Sequence, residues 1–270
     1  NPRAFELFSQ ELSENPNTLV IYSDEDKIDG SDKHFELYCK PNYSPELLLT
    51  QMYLCHFTCF RTREVRAVGG FRSQFDGAQD FDLALRLLPQ LSADNVHHVP
   101  RPLYHWRAWA QSTALTIEAK PWAQEASARA QQDHLDRTAG GTVAASSVPG
   151  LNEVHPAMPS PPLVSVIIPT AGAANDQGRF VDAAVASLRE HESSVPLEIT
   201  AVTTGEISPI DGVDTQVVLE PPFNFSRAIN TGRDHSRGEF LFLLNDDTSV
   251  DSDQPVLRLL EMANDPRVGV

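Results

Sequence analysis

Residues 238–250 read GEFLFLLNDDTSV. Five apolar residues, Phe240 to Leu244, run directly into Asn245, Asp246 and Asp247. A short apolar run bounded by turn residues is the pattern of a buried strand. In an open parallel sheet, ligands collect beyond the carboxyl ends of the strands, which is where this acidic pair falls. Adjacent carboxylates repel, so a proton, solvent or a cation has to relieve them. Oxygen donors at a strand end suit Mg²⁺ or Mn²⁺, with phosphate filling the remaining positions. A solvated Asn-Asp-Asp turn satisfies the same spacing.

The sequence around this run alternates. VSVII (164–168) is a β-branched strand closed by Pro169. GRFVDAAVASLREH (178–191) places apolar residues at helical spacing. LEITAV (197–202) and QVVLE (216–220) read as strands, NFSRAINTGRDHSRG (224–238) as a helix stopped by Gly238, and VLRLLEMAN (256–264) as a helix led by Pro255. Alternation of this kind predicts an α/β fold with a mostly parallel sheet and helices on both faces. The closing residues NDPRVGV read as the start of a further strand.

Residues 1–138 are mixed. A helix spans PRAFELFSQELSEN, and the strand TLVIY (18–22) leads into SDEDKIDG, read as a polar turn. SPELLLTQMYL opens a helix with Ser44 as cap and Pro45 at its first position. TREVRAVGGF is a short helix ended by Gly69-Gly70, and DFDLALRLLP is an amphipathic helix stopped by Pro89. NVHHVP is a short strand followed by PLYHWR, and AKPWAQEASARAQQDHLDR (119–137) is a long helix. Between the two parts, AGGTVAASSVPGLNEVHPAMPSPPL (139–163) is dense in Gly, Ala, Ser and Pro and reads as a linker.

The chain has 270 residues, 41% of them hydrophobic, enough for a buried core in one large or two modest domains. A formal net charge of -16 argues against general affinity for nucleic acid or anionic lipid. Three cysteines, Cys39, Cys55 and Cys59, make no disulfide framework and point to a reducing, cytoplasmic location. The apolar setting MYLCHFTCF marks Cys55 and Cys59 as small hydrophobes rather than zinc ligands. No run approaches 18 apolar residues. The opening inside a helix and the closing inside a strand lead us to expect a fragment cut at both ends.

VSVIIPT together with FNFSRAINTGRDHSRGEFLFLLNDD resembles the nucleotide-binding half of family 2 glycosyltransferases of GT-A fold, over about 105 residues. The resemblance implies that Asp247 is the direct ligand of a Mn²⁺ or Mg²⁺ ion on the donor diphosphate. It implies that Asp246 supports the ion or touches the ribose, that Thr170 lies near the nucleotide, and that Arg227 and Asn230 face the donor pocket. Surface decoration of a helix is the competing reading for Arg227 and Asn230. Where such proteins place a base-reading Asp, this chain has AVTTGEIS, and Thr203 and Thr204 carry no carboxylate.

FDGAQDFDLALRL with VHHVPRPLYHWR resembles the acceptor-side half of the same family. There Asp80 takes the place of the catalytic base, with Gln79 where many members have Glu. A carboxylate near a helix N-terminus can take the proton of an attacking sugar hydroxyl; helix capping is the competing reading. Asp82 is expected either to support the base from behind or to lie on the helix face. His105 is expected to complete metal coordination, against the alternative of a structural His, and His97 and His98 read as structural. Asp24 and Asp26 follow the strand TLVIY as a metal motif would; the resemblance instead places them in a turn near the acceptor, with a direct metal role as the lesser alternative.

The implied organisation is tandem: residues 1–138 as the acceptor-side half of one domain, 139–163 as linker, and 164–270 as the nucleotide-sugar-binding half of the next; the lesser alternative is a permuted single domain in which 164–270 docks on 1–138. The implied activity is inverting transfer from a nucleotide-diphosphate sugar to a glycan or lipid-linked acceptor, at the inner membrane face where the acceptor is a lipid. The partners of this piece are then the missing halves of its own domains. The alternative is a degenerate, non-catalytic module that binds glycan or a partner domain.

Overall fold

The computed structural model describes residues 1–108, 121–148 and 150–263. The chain divides into two compact units, Asn1–Ala157 and Met158–Val270.

The first unit runs α1 (Ala4–Glu14), β1 (Val20–Ile28), β2 (His34–Tyr38), α2 (Pro45–Thr50), β3 (Thr58–Phe60), α3 (Thr62–Ala67), α4 (Gln79–Leu87), β4 (Val96–Arg107), α5 (Pro121–Arg137), β5 (Gly141–Ala145) and β6 (Asn152–Pro156). Strand β1 is the axis of its sheet. It pairs antiparallel with β3 at its start, antiparallel with β2 at its end, and parallel with β4 throughout. Alternation on β1 sends Val20 and Tyr22 into a core with Leu48, Phe81, Leu85, Ala126 and Ala130. Ile21 joins Phe8, Val99 and Leu103 in a second cluster.

Three expectations change here. SDEDKIDG is not a turn: β1 continues to Ile28, because β2 and β4 flank it and use its backbone groups. NVHHVP and PLYHWR form one twelve-residue strand, β4. Ser23 pairs with Val99 and Asp24 with Pro102, so Pro100 and Arg101 bulge out, as a proline without an N–H requires. The helix opened by Ser44 ends at Thr50, after which Gln51 is extended.

The stretch 139–163, expected to be a linker, holds a hairpin. Strands β5 and β6 pair antiparallel from Gly141↔Pro156 to Ala145↔Asn152. Val154 and Asn152 are buried, and Asn152 Nδ2 donates to Gln131 Oε1 of α5 at 2.6 Å. Gly141 has φ +122, and a Cβ there would meet His155 O at 2.1 Å. Its glycine serves close strand approach rather than flexibility.

The second unit runs β7 (Val164–Thr170), a minimal hairpin of β8 (Ala174–Asn175) and β9 (Gly178–Arg179), α6 (Phe180–His191), β10 (Leu197–Thr204), β11 (Thr215–Leu219), α7 (Phe225–Asp234), β12 (Phe240–Leu243) and α8 (Pro255–Ala263). The order is β11-β10-β7-β12, all parallel. Val164, Val166 and Ile168 pack against α6 and α8 through Val181, Val185, Leu188, Val256 and Leu260. Ile167 points the other way, with Val202, to Ala228 of α7. Helices therefore cover both faces of a parallel sheet, the Rossmann-like α/β arrangement expected.

Helix α7 seats closely because Gly232 faces Ile167, where a Cβ would lie 2.4 Å from Cγ2. Gly238 does not cap α7, which ends at Asp234. A Cβ there would stand 2.5 Å from Ser165 N, so this glycine lets the chain pass against β7. The strand read into NDPRVGV and the start of the helix at 119–120 lie outside the described residues. Among the described residues, no helix is long and apolar enough to cross a membrane.

Candidate functional site

In the second unit, β7 is followed by α6 and β10 on one side, while β12 lies on its other side. The chain changes direction between β7 and β12, and a crevice at such a switch point is where open α/β sheets bind ligands. Thr170 ends β7 and Asp246 follows β12. Thr170 is buried; its hydroxyl donates to Asp246 Oδ2 at 2.5 Å and accepts from Gly172 N at 2.9 Å. Asp246 is thereby held at the sheet's mouth. Asp247 is exposed and has no hydrogen-bond partner among the described residues. Thr248 Oγ1 donates to Asn245 O at 2.6 Å and closes the turn.

Among the described residues, Asp246 and Asp247 belong to no group of three acidic, His or Cys ligands; two carboxylates alone fit a hard cation that takes its other oxygens from phosphate and water, the usual manner of Mg²⁺ and Mn²⁺. The fit rests on the donor set, all oxygen, with one carboxylate fixed and one open.

Arg227 and Asn230 are both exposed on α7. The Arg227 guanidinium donates to Glu220 O and to Pro222 O, tying down the segment before the helix. Asn230 Oδ1 accepts from Arg233 at 3.5 Å. Neither makes a hydrogen bond to Thr170, Asp246 or Asp247 among the described residues. Thr203 is buried, with its hydroxyl donating to Gly205 O at 3.0 Å.

In the first unit, Asp80 lies in the first turn of α4, partly exposed, with Oδ1 accepting from Phe81 N at 2.9 Å. Ala78 holds the cap position, so Asp80 is not the capping residue. Its carboxylate sits where the helix dipole favours negative charge. Beside it, the Cys55 thiol is pushed up to about 12 by burial, then by Glu25 and Asp80. Cys55 is thus an inert thiol, donating to Met52 O.

Asp82 is buried, in a supporting position rather than on an open helix face. Arg72 and Arg86 clamp it, and Arg72 also binds Asp133 at 2.7 Å. Burial works to raise the Asp82 carboxyl, but the two guanidinium groups overcome it and hold it below the usual range. Asp82 supports α4, and through it the backbone that carries Asp80.

Strand β1 carries three acids, Asp24, Glu25 and Asp26, in a stretch read from the sequence as a turn. Asp24 Oδ1 accepts from Lys40 N and faces His98 Nε2, each at 2.9 Å. Burial lowers the pKa of Lys40, whose ammonium donates to Leu54 O at 2.9 Å and lies 3.4 Å from Glu25. Burial pulls the Glu25 carboxyl up; His56 and Lys40 outweigh it, leaving it below the ordinary value.

Asp26 meets two imidazoles: His105 Nδ1 at 2.5 Å on Oδ1 and His34 Nδ1 at 2.8 Å on Oδ2. His105, expected to complete metal coordination, is paired with Asp26 of its own unit. The sequence reading missed His34 outright, and it placed Asp26 in a turn rather than on a strand. The available signal was alternation, Asp24-x-Asp26, which is strand spacing rather than turn chemistry.

No protein-family profile matches the chain. The chain is similar to an O-antigen biosynthesis protein. That relative, RfbC of Myxococcus xanthus, is 31% identical over 259 residues, which cover 94% of this chain and 20% of RfbC. The uncharacterized protein y4gI of Sinorhizobium fredii is 34% identical over 282 residues, covering 100% of this chain and 31% of y4gI. The chain therefore spans about a third or less of these relatives. A solved structure, mannosyltransferase PcManGT from Pyrobaculum calidifontis in complex with GDP-Man and Mn²⁺, is 18% identical. It covers 59% of this chain and 45% of that one, at a TM-score of 0.33. A likeness of that extent carries no correspondence of residues.

Proposed function

We propose that the chain is part of a family 2-like, GT-A glycosyltransferase that moves a sugar from a nucleotide-diphosphate sugar to a glycan or lipid-linked acceptor with inversion. The observation that carries this reading is Asp246, held by Thr170 at the switch point of a parallel sheet, with Asp247 open beside it. The name of the relative RfbC supports polysaccharide assembly as the setting.

Asp247 and Asp246 would hold Mn²⁺ or Mg²⁺, which supplies neutralisation of the departing diphosphate. Thr170 orients Asp246. Arg227 fixes the segment leading into α7, and Asn230 offers an exposed amide to the donor. Asp80 takes the proton of the acceptor hydroxyl as its oxygen attacks the anomeric carbon and the diphosphate leaves. In this reading the units serve two catalytic centres of a tandem polypeptide, the first giving the base and the second the donor residues.

Titration calorimetry of UDP- and GDP-sugars against the chain, with and without Mn²⁺, tests the donor site. Uptake that requires Mn²⁺ and falls at least tenfold in Asp247→Asn is expected. No uptake under either condition sinks the reading for the second unit. In the full-length protein, Asp80→Asn should abolish transfer and leave donor binding unchanged.

One observation favours a second reading, a non-catalytic binding module. Thr203 spends its hydroxyl on Gly205 O at the position where a base-reading carboxylate is expected. Retained glycan binding without nucleotide binding distinguishes it.

A further inference from the structure

Three neighbouring strands of the first unit converge on one point. Asp26 lies on β1, His105 on β4 directly opposite it in the parallel register, and His34 at the start of β2, opposite Ile28. One ligating atom from each lies within 4.8 Å of the other two. The Asp26 side chain is 9% exposed, that of His105 22% and that of His34 56%. The imidazole rings meet edge to face with centroids 4.7 Å apart.

We propose that Asp26, His34 and His105 form a binding site for a first-row divalent ion of borderline softness, with Zn²⁺ as the best fit. This site belongs to the first unit and does not depend on the reading of Asp246 and Asp247. Without a metal, each imidazole donates its Nδ1 proton to one oxygen of the same carboxylate. A single divalent ion in place of those two protons satisfies all three side chains at once.

Two nitrogens and one carboxylate oxygen select against Mg²⁺, which demands oxygen and holds its water. They match the three-ligand zinc sites that keep a fourth position open. The open position lies on the exposed His34 side. Ligands about 2.0–2.1 Å from a tetrahedral ion stand about 3.3 Å apart, so the present 2.5 and 2.8 Å contacts must widen by about 0.5–0.8 Å. His34, the exposed member, has the freedom to move.

The protons balance simply. A neutral imidazole passes its Nδ1 proton to Nε2 through solvent and binds the ion through Nδ1, with no net release. An imidazolium releases one proton to solvent. Asp26 binds as the carboxylate. The sheet supplies the rigidity: β1 and β4 stay paired on both sides of the Asp26–His105 position.

The test uses the 270-residue chain stripped with a chelator, then titrated calorimetrically with ZnCl₂ and, in parallel, with CoCl₂ read by visible absorption. One Zn²⁺ per chain is expected, with a Co²⁺ spectrum of nitrogen ligation and a raised melting temperature. His34→Ala, an exposed change that spares the fold, should weaken Zn²⁺ at least tenfold, as should His105→Gln. The double variant Asp246→Asn/Asp247→Asn should bind Zn²⁺ as the parent does. Equal Zn²⁺ affinity in the parent and His34→Ala overturns the proposal. So does Zn²⁺ uptake that disappears in the double variant and survives in His34→Ala. Loss of nucleotide-sugar binding in the double variant bears on the donor site alone, so the two readings fail separately.

Discussion

Asp24, Asp26 and Asp82 of the first unit and the acidic pair 246–247 of the second are held in opposite ways. In the first, Asp24, Asp26 and Asp82 lie inside the structure, each closed by bases: His98, the pair His34 and His105, and the arginines at 72 and 86. In the second, Asp246 has one hydroxyl and Asp247 is exposed. A carboxylate in mid-strand or on a buried helix face has to find partners as the chain folds, whereas one beyond a strand end can wait for a ligand. Asp82 serves architecture, as Glu192 and Glu198 do in the second unit, whereas the pair at 246–247 keeps one carboxylate available.

The same chemical change should therefore cost very different amounts in the two places. Asp82→Asn removes the charge between two guanidinium groups and should destabilise the first unit by about 3–5 kcal/mol, read by denaturant unfolding. Loss below about 1 kcal/mol would mean the clamp is a surface-grade interaction.

Acid applies the same perturbation without mutation. The carboxyls of Asp82, Asp133 and Glu25 are held below their ordinary values in the folded chain. Their contribution is complete above the unfolded-state range near about 4 and disappears as pH falls through the lowered folded values. An acid melt followed by fluorescence should show the first unit losing stability below about pH 4, and Asp82→Asn should flatten that slope.

Intermediate effects probe the scaffold of the open pair. Gly232→Ala forces a methyl onto Ile167 and should cost about 1–3 kcal/mol in the second unit. Thr170→Val strands Asp246 and Gly172 N without the shared hydroxyl; about 1–3 kcal/mol of stability should be lost, together with order at the acidic turn, seen by amide exchange. Asp247→Asn is the smallest in stability, within about 0.5 kcal/mol, because nothing in the fold leans on it. A large loss there would erase the contrast between the units.

The second unit was legible because its strands and helices announce themselves locally. Val164–Ile168 is β-branched, and the apolar spacing of residues 180–188 is helical. The consequence, Thr170 beside Asp246, follows from strand order. Arg227 was not legible in this way: its guanidinium binds carbonyls five and seven residues back, a contact that no periodicity encodes. In the first unit, β1 was lost at Ser23 because its charged half looks like a turn. The partners that make it a strand, His98 and His105, are 74 and 79 residues away from Asp24 and Asp26. The hairpin at 141–156 was hidden by its own glycine, a residue type shared by linkers and tight strand pairs.

Lys40 has a side chain with no exposed surface, while those of Lys27 and Lys33 reach solvent. An amine-acylating reagent should therefore modify Lys27 and Lys33 in the native chain and reach Lys40 only when the first unit opens. Peptide mass mapping of that one nitrogen would then time the opening of the first unit, a label supplied by the protein itself.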